Sequence, residues 1–174
     1  MVADRLELVP LTVDDAADMV DVLSDPGLYT FIGGAPPTLP ELRSRYSRLV
    51  AGRSPDGRQE WLNWIIRRRP DGLAVGTVQA TITDEGQAAE IAWIVGSAFQ
   101  GQGYATAAAT ALVGWLDGRG VRTITAHIHP DHRASGAVAA RVGLRPTELF
   151  DDGERLWLRA PGAGRRRPIG TGLG

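Results

Sequence analysis

The chain has 174 residues and a mass of 18.6 kDa; 43% of its residues are hydrophobic and 22% charged, its net charge is −1, and it has no cysteine. That composition suits one globular domain with its own core, and it excludes disulfide frameworks, thiolate metal sites and cysteine nucleophiles. Without a basic excess the chain is not expected to bind nucleic acid or anionic membranes, and no apolar run approaches the roughly 20 residues of a spanning helix. All 19 basic residues are arginine. The opening MVADRLELVP lacks the basic-then-apolar layout of a secretory leader, so the expected compartment is the cytoplasm.

Taken in chain order, Arg5 to Leu11 alternates and predicts a strand. Thr12 and Asp15 have capping-box spacing before Ala16, Met19, Val20 and Leu23, which predicts a helix stopped by Ser24 to Gly27. Leu28 to Pro37 is an irregular loop with aromatic content. A second capping box, Thr38 and Glu41, opens a helix through Leu42, Tyr46, Leu49 and Val50, and Gly52 to Gly57 breaks it. Glu60 to Arg68 and Leu73 to Thr83 read as paired strands around Arg69-Pro70-Asp71-Gly72. Asp84 to Gly86 is a turn, and Ala89 to Val95 is an apolar strand. An Ala-rich helix follows Gly103 and runs through Leu116, then a strand over Val121 to His129. Ala134 to Val142 is a helix that Gly143 can cap. Leu144 to Phe150 and Arg155 to Leu158 make a closing hairpin around Asp151 to Gly153. The order is βααβββαβαββ: a mixed α/β domain over residues 1–160 with helices on the sheet faces, followed by a loose Gly/Arg/Pro-rich tail over 161–174.

The most informative segment runs from a buried strand into Gly101-Gln102-Gly103 and straight into a helix. Glycine lets the backbone turn tightly with no Cβ in a ligand's way, and the first helix amides then point outward from the positive end of the dipole. Such a turn either simply starts a helix or holds a phosphate. A P-loop needs a Lys-Ser/Thr pair that this lysine-free chain lacks. A dinucleotide fingerprint would need a small third residue where Thr106 stands, and a place near the start of a βαβ unit. A coenzyme A pyrophosphate is the third candidate.

All 3 histidines fall in His127-Ile128-His129-Pro130-Asp131-His132. This H-x-H-x-D-H string is similar to the metal signature of metallo-β-lactamase-like hydrolases, but no histidine follows His132 to complete a two-metal centre. A one-metal site on His127 and His129, which share one strand face, is the remaining metal option. Otherwise the pair fills the sheet face and His132 starts the next helix. No bound metal is expected.

Gln100-x-x-Gly103-x-Ala105 resembles the Q/R-x-x-G-x-G/A motif of the GNAT family of N-acetyltransferases. Phe99 to Ala108 is similar to its RimJ/RimL-like branch, which acetylates protein N-terminal amines and small amines. Pro130-Asp131-His132-x-x-Ser135, with Ala139 to Leu144 after it, is similar to that branch's P-x-N-x-x-S…G-F segment. The resemblance covers Arg5 to about Arg159. It implies a mostly antiparallel mixed sheet, splayed between the fourth and fifth strands of the order above, with helices on both faces.

The same resemblance implies acetyl-CoA as the donor. Its pantetheine would pair with the backbone of Trp93, Ile94 and Val95, and its pyrophosphate would sit on the amides of Gly101, Gln102, Gly103, Tyr104 and Ala105, with Gln100 beside them. His132 stands where the family usually has an Asn that touches the cofactor. Glu90 matches a proposed base, with an exposed strand-end carboxylate as the alternative. Ser135 matches a serine near the sulfur, with a helix cap as the alternative. The family's usual tyrosine acid is replaced by Ala139.

Tyr29, Phe31, Trp61 and Trp64 are candidates for a substrate pocket, with Asn63 on the strand face opposite the two tryptophans; core packing is the competing role. The Arg67 to Arg69 and Arg165 to Arg167 runs are solvated charge or contacts to the CoA 3′-phosphate. The implied reaction is acetyl transfer to a primary amine, a small molecule or a protein N-terminus, and a homodimer is compatible with it. The rivals are a non-catalytic acyl-CoA-binding module of the same fold and a metal-dependent hydrolase built on the histidines.

Overall fold

The computed structural model describes residues 1–3 and 5–160. The tail expected over 161–174, with its Arg165 to Arg167 run, lies outside the described residues. Twelve regular elements follow one another: β1 (Val2–Ala3), β2 (Leu6–Pro10), α1 (Ala16–Val22), α2 (Leu39–Leu49), β3 (Glu60–Arg68), β4 (Ala74–Thr83), β5 (Ala88–Val95), α3 (Tyr104–Gly118), β6 (Thr123–Ile128), α4 (Arg133–Arg141), β7 (Arg145–Asp151) and β8 (Glu154–Arg159). Only β1 is unexpected. It is two residues long, too short for a periodic signal, and it exists because Val2 and Ala3 pair with Glu7 and Leu6.

The strands form one sheet in the order β1-β2-β3-β4-β5-β6-β8-β7, antiparallel throughout except for β5 and β6. This is the splayed, mostly antiparallel sheet that the resemblance implies. A parallel neighbour needs a crossover, and α3 supplies it. The parallel pairing is brief: Ala88, Ala89 and Glu90 pair with Thr123, Ile124 and Thr125, and then the strands part. Beyond the fork β6 stays paired to β8 through Ile128, while β5 stays paired to β4 through Val95. Residues 91–95 therefore leave one strand edge open in the middle of the sheet.

Each sheet face carries its own core. On one face α3 buries Tyr104, Ala108, Ala109, Leu112 and Leu116 against Leu6, Leu8, Ile66, Val78 and Ile91. The alanines bring the helix close to the sheet, which places its first turn beside the end of β5. On the other face α1 and α2 bury Met19, Leu23, Leu42 and Tyr46 over Ile65 and Ala74.

The two capping boxes differ. Thr38 is complete, with its hydroxyl accepting from the Glu41 amide and Glu41 accepting from the Thr38 amide. At Thr12 only half is made. Asp15 accepts from the Thr12 amide at 2.7 Å, and α1 starts one turn later, at Ala16. The Thr12 hydroxyl donates to that same Asp15 oxygen instead of accepting from the Asp15 amide, while the other Asp15 oxygen is held by Arg67 of β3 at 2.6 Å, with Asp18 on the same guanidinium at 3.1 Å. Arg67 is thus a strut between α1 and the sheet, and the expectation of a solvated or phosphate-binding charge there is corrected.

Candidate active site

The glycine turn after β5 has the geometry its sequence predicts. Gly101 and Gly103 have φ of 72° and 81°, the left-handed region where a side chain is strained, and Gly103 caps α3. The first repeating helix bond is from the Ala107 amide to the Gly103 carbonyl, so the Tyr104, Ala105 and Thr106 amides precede any helical acceptor. A Cβ on Gly101 would meet nothing within 4 Å, so space is open above the turn.

The turn is braced by side chains. Gln102 Nε2 donates to the Ala98 carbonyl, Arg5 donates to the Gln102 carbonyl, and Gln100 Nε2 donates to the Val95 carbonyl at 3.1 Å. Tyr104 offers only its amide. Its ring is buried in the core, with Arg5 above it.

The Gly96 amide donates to the Val75 carbonyl, and Thr77 pairs with Ile94 in the same register. In an antiparallel ladder alternate residues turn both polar groups toward the partner. Ala92 and Ile94 therefore face β4, and Ile91, Trp93 and Val95 turn N–H and C=O toward the fork. This corrects Ile94: its backbone belongs to the β4 ladder and its side chain packs against the α1–α2 core. Trp93 and Val95 carry the open edge.

The fork opens into a cleft of about 70 Å³ lined by Ile32, Ala92, Trp93, His127, His129, His132, Ser135 and Glu154 among others. Ser135 reaches it from the first turn of α4. The helix cap is His132, which corrects the alternative of a capping Ser135. Phe31 roofs this end, its ring stacked on His132 at 4.7 Å and tilted against His129 at 5.3 Å. A larger cavity of about 740 Å³ lies between α1, the β3–β4 turn and residues 96–99, and Arg67 and Asp18 on its wall are already paired with each other.

Tyr29, Trp61 and Trp64 do not line the cleft, and Phe31 meets it only through its contacts with His129 and His132. Tyr29 donates its hydroxyl to the Leu23 carbonyl and ties the loop to the end of α1. Trp61 donates Nε1 to Gln59. Trp64 is 8% exposed and packs edge-on against Trp115 of α3 at 5.4 Å. Trp61 and Trp64 are three apart, so they point to opposite faces, and Asn63 shares the face of Trp61 rather than opposing both.

Glu90 and His127 are distant in the sequence, and the fold joins them. Glu90 is the last residue of β5 paired to β6, and its Oε1 lies 3.3 Å from Nδ1 of His127. His129 Nδ1 accepts from the Asp131 amide at 3.2 Å. The histidine string is thus spread over three different contacts. Among the described residues no three His, Asp or Glu side chains are grouped to hold a metal ion.

Burial, and then the charge of His129, lowers the His132 pKa. Its imidazole resists protonation in the fold, so the unfolded chain binds more protons between the lowered value and about 6.5. Stability therefore falls as the pH drops through that window. We expect the melting temperature to decrease from pH 7 to about pH 5, and to decrease less in His132→Asn. Thermal scans of both proteins at stepped pH check this; parallel curves would show that His132 is not responsible.

A sequence-family profile described as an acetyltransferase (GNAT) domain matches residues 5–145. The chain belongs to the GNAT acetyltransferase family. It is an acetyl-CoA-dependent acyltransferase on that ground. The fold of this GNAT protein is shared by solved structures at low identity. RimL, an alpha-N-protein acetyltransferase of a ribosomal protein in complex with coenzyme A, matches with a TM-score of 0.78 and 20% identity, over 94% of this chain and 98% of that one. A GNAT acetyltransferase from Bacillus anthracis has a TM-score of 0.76 and 18% identity, over 92% and 97%. AAC(6')-Ib in complex with paromomycin and acetyl-CoA has a TM-score of 0.74 and 20% identity, over 97% and 100%. A comparison with curated protein sequences gives no match.

Proposed function

We propose that this GNAT protein transfers an acetyl group from acetyl-CoA directly to a primary amine, on a small molecule or a protein N-terminus. The observation that carries this is the open edge of β5 at Trp93 and Val95, which runs from the amides at the start of α3 to a carboxylate–imidazole pair at the fork. The pantetheine of acetyl-CoA extends that edge as an added strand, and its pyrophosphate takes the amides of Gly101 to Ala105. Gln100 must release the Val95 carbonyl for the pantetheine to pair there.

The thioester then lies where β5 and β6 part. The amine enters on the face that carries Glu90, whose negative charge favours an ammonium ion, and it must lose a proton before it attacks. Ser135 lines the cleft from the α4 side, and in this reading it serves the departing sulfur. Two neighbours point to the acceptor's class: RimL is named for a protein amine and AAC(6')-Ib is solved with an aminoglycoside.

The test is acetyl-CoA with an amine library and a thiol reagent. Amine-dependent release of free CoA is the expected result. Tight acetyl-CoA binding with no release for any amine would instead make this fold a binding module.

A further inference from the structure

We propose that His127, rather than Glu90, takes the acceptor's proton, and that Glu90 is the positioning residue that holds the imidazole. The inference rests on the assignment of the fork as an amine acetyltransferase site. Its basis is a register coincidence. Glu90 pairs with Thr125, the last partners before the strands separate, and His127 is two residues further along β6 on the same face. The Glu90 carboxylate meets Nδ1 of His127 at 3.3 Å, and no partner for Nε2 appears among the described residues. His127 lines the cleft, while Glu90 is more than half exposed beside it.

The other two histidines are less suited. His129 uses Nδ1 to accept from the Asp131 amide, and Phe31 covers both His129 and His132. An imidazole titrates nearer neutral pH than a carboxylate in water, so it is the better match to a proton leaving an alkylammonium ion.

An ammonium proton moves to Nε2 of His127. The freed nitrogen lone pair forms the C–N bond at the thioester carbonyl as the C–S bond breaks. The second nitrogen proton goes to the departing thiolate, and His127 returns its own to water, so one proton is released per turnover. The groups facing His127 are Glu90 from β5, Glu154 from β8, and His129 and His132 after β6; the α1–α2 loop contributes only Phe31 and Ile32.

The experiment is the pH dependence of kcat for the wild type, His127→Gln and Glu90→Gln, with acetyl-CoA and the best amine from the library. His127→Gln should lower kcat at neutral pH by about 10²-fold or more and remove the acid limb. Glu90→Gln should lower kcat by roughly tenfold and keep the acid limb, because the imidazole is still present but no longer held in place. Added imidazole should partly restore His127→Ala, a rescue that a merely structural histidine would not show. Each variant should keep the wild-type thermal shift with acetyl-CoA, which reports the fold and the donor site. If His127→Gln keeps the wild-type kcat and acid limb, the inference is overturned and the proton leaves by Glu90 or water. If the wild type releases no CoA with any amine, the assignment of the site fails first.

Discussion

Gly103→Val is expected to abolish the stabilisation that acetyl-CoA confers. Acetyl-CoA at 100 times its dissociation constant should stabilise the wild type by about 2.7 kcal/mol, or about 5–10 °C in Tm for a chain of this size. Gly103 has φ of 81° and caps the helix whose first amides are the proposed pyrophosphate site. A β-branched residue there is strained, and its Cβ would reach 3.4 Å from an Arg5 nitrogen, which itself braces the turn. Strain alone would lower Tm in any state, so a control is needed. Gly120, at the other end of α3, has φ of 83° with nothing within 4 Å of a Cβ. Gly120→Val should lose similar stability and keep the ligand shift. A full shift in folded Gly103→Val would overturn the pyrophosphate assignment.

The second large effect is on the sheet itself. Gly76 lies on β4 opposite Val95, and a Cβ there would stand 2.1 Å from the Ile94 carbonyl oxygen and 3.0 Å from Val95 Cα. Both atoms are backbone of β5, so no side chain can turn aside. Gly76→Ala should cost about 3 kcal/mol, the upper range for overpacking, and lower Tm by roughly 6–12 °C. It should also weaken acetyl-CoA binding, because the strand that is displaced carries the open edge. Gly114→Ala should have the opposite sign: it lies mid-helix in α3 with nothing near its Cβ, and alanine there should stabilise by about 1 kcal/mol. Equal melting temperatures for the two alanine variants would contradict the tight β4–β5 contact.

Much of the fold was legible locally. Thr38 with Glu41, the Pro70-Asp71-Gly72 turn and the Gly101–Gly103 turn each encode their conformation within four or five residues, through caps and positive φ, and each forms as the sequence predicts. The helix start at Thr12 came out one turn late because the Thr12 hydroxyl donates to the Asp15 carboxylate instead of accepting from the Asp15 amide. The aromatic pocket was the least legible part. Aromatic residues suit a core and a cleft equally, and Trp64 went to the core because strand alternation turns it toward α3.

What the sequence by itself determined is therefore the order of elements, the glycine-started helix and the family, because these depend on short-range dihedral preferences and on motif residues at near neighbours. What only the tertiary structure decided is which titratable groups meet. Glu90 and His127 lie on strands joined by a whole crossover helix, and their contact depends on the parallel register that α3 imposes when its alanine-rich face packs onto the sheet. A slip of one residue would send one of the two side chains to the other face of the sheet. That register is the sum of many weak, non-local packing contacts, and no short segment of the chain encodes it.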